Sequence, residues 1–225
     1  MDRNLGAPDV NYHGNSTGSV YYQFGRKDPF EVGTLYKPDG SSISISNIAW
    51  DATTQESSKK GKNVPYSVQN PLKFITSSST WTTGDQYCPA DGGDFMWQDP
   101  KAASSADGKV KKSIFDPCPS GWMVPVSGTL DALSMTHSNQ ISPIPVNGLG
   151  RYYYPNTNNK VDYICFPYGC LQPSYSSRGY YWLASTASTN AYAFDLNDNS
   201  VQPVNGTKST PRYYGGSVRC IQEYF

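Results

Sequence analysis

The sequence predicts an α+β protein, rich in loops, with small antiparallel sheets and few short helices. Three observations lead there. Short runs of aromatic and β-branched residues recur between turn residues. The chain scatters 17 prolines and 20 glycines along its length, and each Pro removes a ladder donor while each Gly permits a turn. Helical periodicity is confined to one stretch. The strand-like runs are Val20 to Phe24, Leu72 to Ile75, Tyr163 to Phe166, Tyr180 to Ala184, Tyr192 to Leu196 and Ser217 to Gln222. The helical stretch is Ser127 to Met135, where Ser127 or Thr129 can cap and Leu130 and Leu133 stand three apart on one face.

A chain of 225 residues can bury roughly 70% of its unfolded surface as one domain. It contains no internal repeat and no clean linker. Residues 37–70 and 98–113, rich in Ser, Lys, Gly and Asp, read as long surface insertions in a single domain spanning 1–225. No segment reaches the ~18 consecutive apolar residues of a membrane span, so direct membrane insertion is not expected. No signal peptide is recognisable at Met1, which suggests a domain cut from a longer exported chain, its leader and anchor lying upstream.

Charged residues make up 16% of the chain and cancel, 18 basic against 18 acidic. The lysine clusters Lys59, Lys60, Lys62 and Lys109, Lys111, Lys112 are too short to track a phosphate backbone, so nucleic acid is not an expected partner. The polarity is mostly uncharged, and 18 tyrosines among many Ser, Asn and Gly resemble the composition of recognition loops.

Candidates for chemistry are sparse. His13 and His137 lie in no metal-ligand spacing. There is no nucleophile elbow, and Gly148-Leu149-Gly150 runs into Arg151-Tyr152-Tyr153 where a dinucleotide turn needs a third glycine. Asp195, Asn197 and Asp198 form an oxygen-rich cluster, but calcium draws carboxylates from several loops, so a turn and no tightly held metal is the expectation. Neither a cofactor nor a catalytic residue is expected. Cys88, Cys118, Cys165, Cys170 and Cys220 lack the paired spacing of a zinc ribbon and read as disulfide candidates with one left over.

Six blocks, DRNLGA (2–7), YYQFGRKDPF (21–30), DPCPSGWMVP (116–125), GYYWLAS (179–185), AYAFDLN (191–197) and GGSVRCI (215–221), resemble the Fibrobacter succinogenes major paralogous domain, in the family's order. That resemblance implies a C-type-lectin-like fold and a non-enzymatic, extracellular adhesin domain at the tip of a bacterial surface fibre or pilus. The implied ligand is carbohydrate or protein on a cell surface, with pilin subunits reached through upstream domains. It also implies that Cys118 and Cys220 lie together, because the segment entering the helix runs beside the last strand, and that Trp122, Trp182 and Val218 are core. Tyr181-Trp182-Leu183-Ala184 departs from the family's usual YWSS, and Cys165 and Cys170 look like additions. Residues 181–225 are also similar to the variable regions of retroelement-diversified proteins, although an ordinary polar hairpin fits the same residues.

Two rivals remain. A formylglycine-generating type of enzyme uses a lectin-like architecture and would need two free cysteines in one open cleft. A purely structural fimbrial assembly module would present a flat, featureless C-terminal surface. For the binding reading, the two-residue period of strands turns Tyr192, Phe194 and Leu196 inward and Ala193, Asp195 and Asn197 outward. Asn199, Asn205, Arg212, Tyr213 and Tyr214 join that outward set, giving the predicted ligand face.

Overall fold

The structure, a computed structural model, describes residues 1, 3–7, 20–31, 33–36, 42–45, 49–51, 68–69, 71, 73–75, 96–99, 110–130, 133, 142–143, 150–153, 164–167, 178–187, 190–197, 205–212 and 214–223. In chain order its strands are β1 (Val20–Gln23), β2 (Phe30–Glu31), β3 (Gly33–Tyr36), β4 (Ser42–Ile45), β5 (Ala49–Asp51), β6 (Lys73–Ile75), β7 (Trp122–Met123), β8 (Ser142–Pro143), β9 (Gly150–Tyr153), β10 (Ile164–Pro167), β11 (Arg178–Ala187), β12 (Asn190–Asn197), β13 (Asn205–Pro211), β14 (Gly215–Gly216) and β15 (Ile221–Gln222). They assemble into small sheets ordered β14-β1-β2, β10-β9-β8, β11-β12-β13, β15-β7, β3-β4 and β5-β6. All pair antiparallel except β5 with β6. The protein is thus sheet-rich, with little helix among the described residues.

The longest strands, β11 and β12, form the central hairpin, and their register explains the packing. Trp182 stands opposite Ala193, Tyr181 opposite Phe194 and Tyr180 opposite Asp195. Directly opposed residues share a face, so Tyr180, Trp182, Ala191 and Ala193 point to one side and Tyr181, Phe194 and Leu196 to the other. Both sides are covered. The first set joins Val20, Tyr22, Phe24, Met96, Trp97, Cys118, Val124, Val218 and Cys220 in the main core. The second joins Tyr153 and Phe166 in a smaller core, where Phe166 meets Tyr181 edge-on at 4.9 Å between ring centroids. Alanines at 191 and 193 leave the volume that the Trp182 and Tyr180 rings fill.

Trp182 knits the main core to the termini. It is fully buried, its indole N–H donates to the Tyr22 carbonyl at 2.7 Å, and its own amide donates to the Ser217 carbonyl at 2.9 Å. Gly216 lies so close to the ring that a Cβ there would stand 2.8 Å from the indole nitrogen. Gly25, at φ +84°, turns the chain where a Cβ would meet Met96 at 2.9 Å. Val218 is equally buried, whereas Trp122 packs against the core half-buried.

Several expectations need correction. Residues 127–130 form turns and Leu133 a single 3-10 position, with the remainder of 127–135 outside the described residues. Gly128 at φ +92° and the Thr129 amide bonded to the Val126 carbonyl bend the chain instead of starting a helix. Leu130 and Leu133 do share a destination, packing against the smaller core. The run from Ser217 to Gln222 is not one strand. Its flank β14 pairs with β1, Ser217 bridges Tyr181 in parallel, and β15 pairs with β7. The insertion at 37–70 carries β4 and β5. The insertion at 98–113 is closed at its neck by an antiparallel bridge between Gln98 and Lys112.

Candidate functional site

The predicted ligand face does not form as one solvated patch. Ala193, Asp195 and Arg212 are 0%, 2% and 1% exposed. The two-residue period correctly separates Phe194 and Leu196 from Ala193 and Asp195, but the side opposite one core is here a second core rather than water. Asp195 meets Lys208 by a diagonal contact within the sheet, its Oδ2 lying 3.4 Å from the Lys208 ammonium at the edge. Arg212 is a structural cation: its Nε donates to the Asn190 carbonyl at 3.1 Å and its guanidinium lies 5.4 Å from the centre of the Phe24 ring. Tyr214 is half-buried against the main core, with its ring 6.4 Å from that of Tyr180. Asn197 and Asn205 occupy strand positions opposite Arg178 and Leu196. Asn199, Tyr213 and Asp198 lie outside the described residues.

What reaches solvent near this sheet is the edge strand β13. Lys208 and Ser209 are exposed and Thr207 half-buried. Asn190, on the neighbouring strand, donates through Nδ2 to the Ser209 hydroxyl at 2.9 Å. Among the described residues no strand pairs with the outer side of β13. The outcome is a narrow hydroxyl- and amide-bearing rim with one ammonium, chemistry suited to orienting a polar ligand by hydrogen bonds. The neighbour leaves little signal in the sequence: Asn205 is expected in a strand after the turn, but β13 carries no aromatic or β-branched run that marks its bounds or its edge position.

Asp116, Lys112, Arg219 and Arg26 are committed to the scaffold. The Asp116 carboxylate accepts from the Cys118 amide at 2.7 Å and the Val124 amide at 3.0 Å. Burial pushes its carboxyl up to about 6, against the pull of those amides and of Lys112. Lys112 is no solvated surface lysine, since its ammonium donates to the carbonyls of Cys118, Pro119 and Trp122 at 2.9, 2.8 and 3.0 Å. Arg219 donates through Nε and Nη2 to Asn4 Oδ1 at 3.1 and 2.8 Å and lies 4.1 Å from the Phe166 ring centre. Asn4 in turn donates to the Tyr181 hydroxyl, which donates to the Pro167 carbonyl at 2.6 Å. Burial drives the Tyr181 phenol far above its ordinary range. Arg26 is held down to about 10 by burial, with Phe30 under its guanidinium.

Cys118 and Cys220 form a disulfide with Cα atoms 5.9 Å apart. Cys165 is buried on β10, and desolvation pushes its thiol up to about 11. Cys88 and Cys170 lie outside the described residues. Among the described residues no three His, Cys, Asp or Glu side chains gather where a metal could sit, and no helix is long and apolar enough to cross a membrane.

Fold and site together define a disulfide-bridged, sheet-rich scaffold with a polar edge strand. No protein-family model, curated protein or solved structure matches the chain.

Proposed function

We propose that the chain is a non-enzymatic, extracellular ligand-binding domain, an adhesin of C-type-lectin-like fold related to the Fibrobacter succinogenes major paralogous domain and carried at the tip of a bacterial surface fibre. The observation that carries this reading is the β13 rim. Asn190 begins β12, and Thr207, Lys208 and Ser209 pair along β12, both of whose faces are taken by core, so the rim is held against a packed strand and already polar. A carbohydrate or protein epitope is the ligand class such a rim suits.

The finer fold is supported by β7 pairing with β15 and by the bridge from Cys118 to Cys220, which set the segment after Asp116 beside the last strand, as a lectin-like chain requires. The disulfide supports an oxidising, exported location. The test is an array of glycans and cell-surface proteins probed with the parent and with an Asn190→Ala, Ser209→Arg variant, which leaves Lys208 to hold Asp195. The variant is expected to bind nothing that the parent binds and to keep the parent's stability within about 0.5 kcal/mol per site. Equal binding by both would remove the rim from the site. A folded parent that binds nothing would favour a structural assembly module.

A further inference from the structure

The five cysteines pose a problem of choice, because only one partner is right for Cys118. We propose that Lys112 and Asp116 are positioning residues for oxidation: together they hold Cys118 in its paired geometry before the bond exists, and so select Cys220 over the remaining thiols. The geometry is specific to this cysteine. The Cys118 amide donates to Asp116 Oδ1 at 2.7 Å, and its carbonyl accepts from the Lys112 ammonium at 2.9 Å. Both peptide groups of Cys118 are therefore fixed by charged side chains, and neither contact involves sulfur.

The same two side chains fix the loop that follows. Asp116 Oδ2 accepts from Val124, and Lys112 reaches Pro119 and Trp122, where β7 begins. Lys112 is itself anchored, since the Ser113 amide donates to the Trp97 carbonyl and the Asp99 amide to the Lys111 carbonyl, and Trp97 is fully buried. On the other side, Cys220 is held by the Met1 nitrogen at its carbonyl and by Ile221 opposite Met123 in the next residue pair. Cys165 is 3% exposed on β10 in the finished fold, so it competes for Cys118 only before that strand packs.

The oxidation needs an external disulfide, for which oxidised glutathione serves. One protein thiol loses its proton and attacks it, forming a mixed disulfide and expelling a glutathione thiolate. The second protein thiolate then displaces the other glutathione, closing the bond between Cys118 and Cys220. Two electrons pass to the glutathione pair and the two thiol protons end on it. Preorganisation acts on the second step, which becomes intramolecular.

The experiment reduces the full chain in denaturant, refolds it in oxidised and reduced glutathione, traps it with iodoacetamide at intervals and maps the disulfides by mass spectrometry. The parent is expected to pair Cys118 with Cys220 as its dominant product. Lys112→Met and Asp116→Asn are each expected to slow that pairing about tenfold, the loss of charge-assisted hydrogen bonds, and to divert Cys118 to other thiols. Val20→Ala, a core change that removes none of the clamp's hydrogen bonds, controls for general destabilisation and is expected to keep the parental pairing. Parental rate and pairing in both clamp variants would overturn the proposal, as would mispairing in Val20→Ala equal to theirs. If Asp116→Asn fails to fold, Lys112→Met alone decides.

Discussion

Replacing Trp182 by alanine probes the core assignment most severely. The ring is fully buried, packs edge-on to Phe24 at 6.0 Å between centroids, and satisfies the Tyr22 carbonyl through its N–H. Truncation to Ala removes the ring and opens a cavity, which for a buried Trp costs roughly 3–5 kcal/mol. It also leaves a carbonyl without its donor, which adds ~1 kcal/mol or more. Ala184, Ala191 and Ala193 line the same core and are too small to collapse into the space. For a chain of this length each kcal/mol moves the melting temperature by roughly 2–4 °C, so the combined loss of about 4–6 kcal/mol gives a drop of roughly 8–24 °C. Urea unfolding followed by far-UV circular dichroism reads the free energy, and a thermal scan reads the shift. A variant that melts within about 2 °C of the parent while losing ligand would show that Trp182 is a binding platform and that the two-core arrangement is wrong.

Gly216→Ala should destabilise by about 1–3 kcal/mol, because the new methyl meets the Trp182 ring in a packed core; unchanged urea midpoints would contradict the close approach. Paired Cys118→Ala and Cys220→Ala should cost up to ~4.7 kcal/mol, since the bridge closes a loop of about 100 residues; a loss below about 1 kcal/mol would mean that the reduced chain is already constrained. Asp116 gives a pH signature. Its folded-state value of about 6 lies above the ordinary 3.8, so its contribution is fully present below the ordinary value and is lost as pH rises through about 6. Lys112 and Glu223 face the same carboxyl and oppose each other in this. Stability of the parent relative to Asp116→Asn should therefore fall by on the order of 2–3 kcal/mol across that window; a difference that is flat or grows with pH would refute it.

The sequence made the scaffold largely legible because its signals are local. Aromatic and β-branched runs located β1, β10, β11 and β12 to within a few residues. The pairing of Cys118 with Cys220 came only through family resemblance, since spacing alone left every connectivity open. What failed was information about neighbours. Alternation separates Phe194 and Leu196 from Ala193 and Asp195 correctly, whereas Tyr192, expected in the core, is half-buried, and only the fold reveals that Tyr153 and Phe166 cover the second face. Asp195 looked like a surface carboxylate for the same reason, its partner Lys208 belonging to a strand without a strand-like run. Lys112 looked like a solvated charge, because three carbonyl acceptors brought together by a loop leave no mark in composition.

The proposed recognition surface is the β13 rim and not the buried Ala193, Asp195 and Arg212. The most direct measurement takes a carbohydrate or protein hit from the array and titrates it into isotope-labelled protein, following the backbone amides by NMR. Shifts concentrated at residues 205–210 and Asn190, with Asp116, Asp195 and Arg219 unmoved, are the predicted result; shifts centred elsewhere, with the amides of β13 silent, would contradict it.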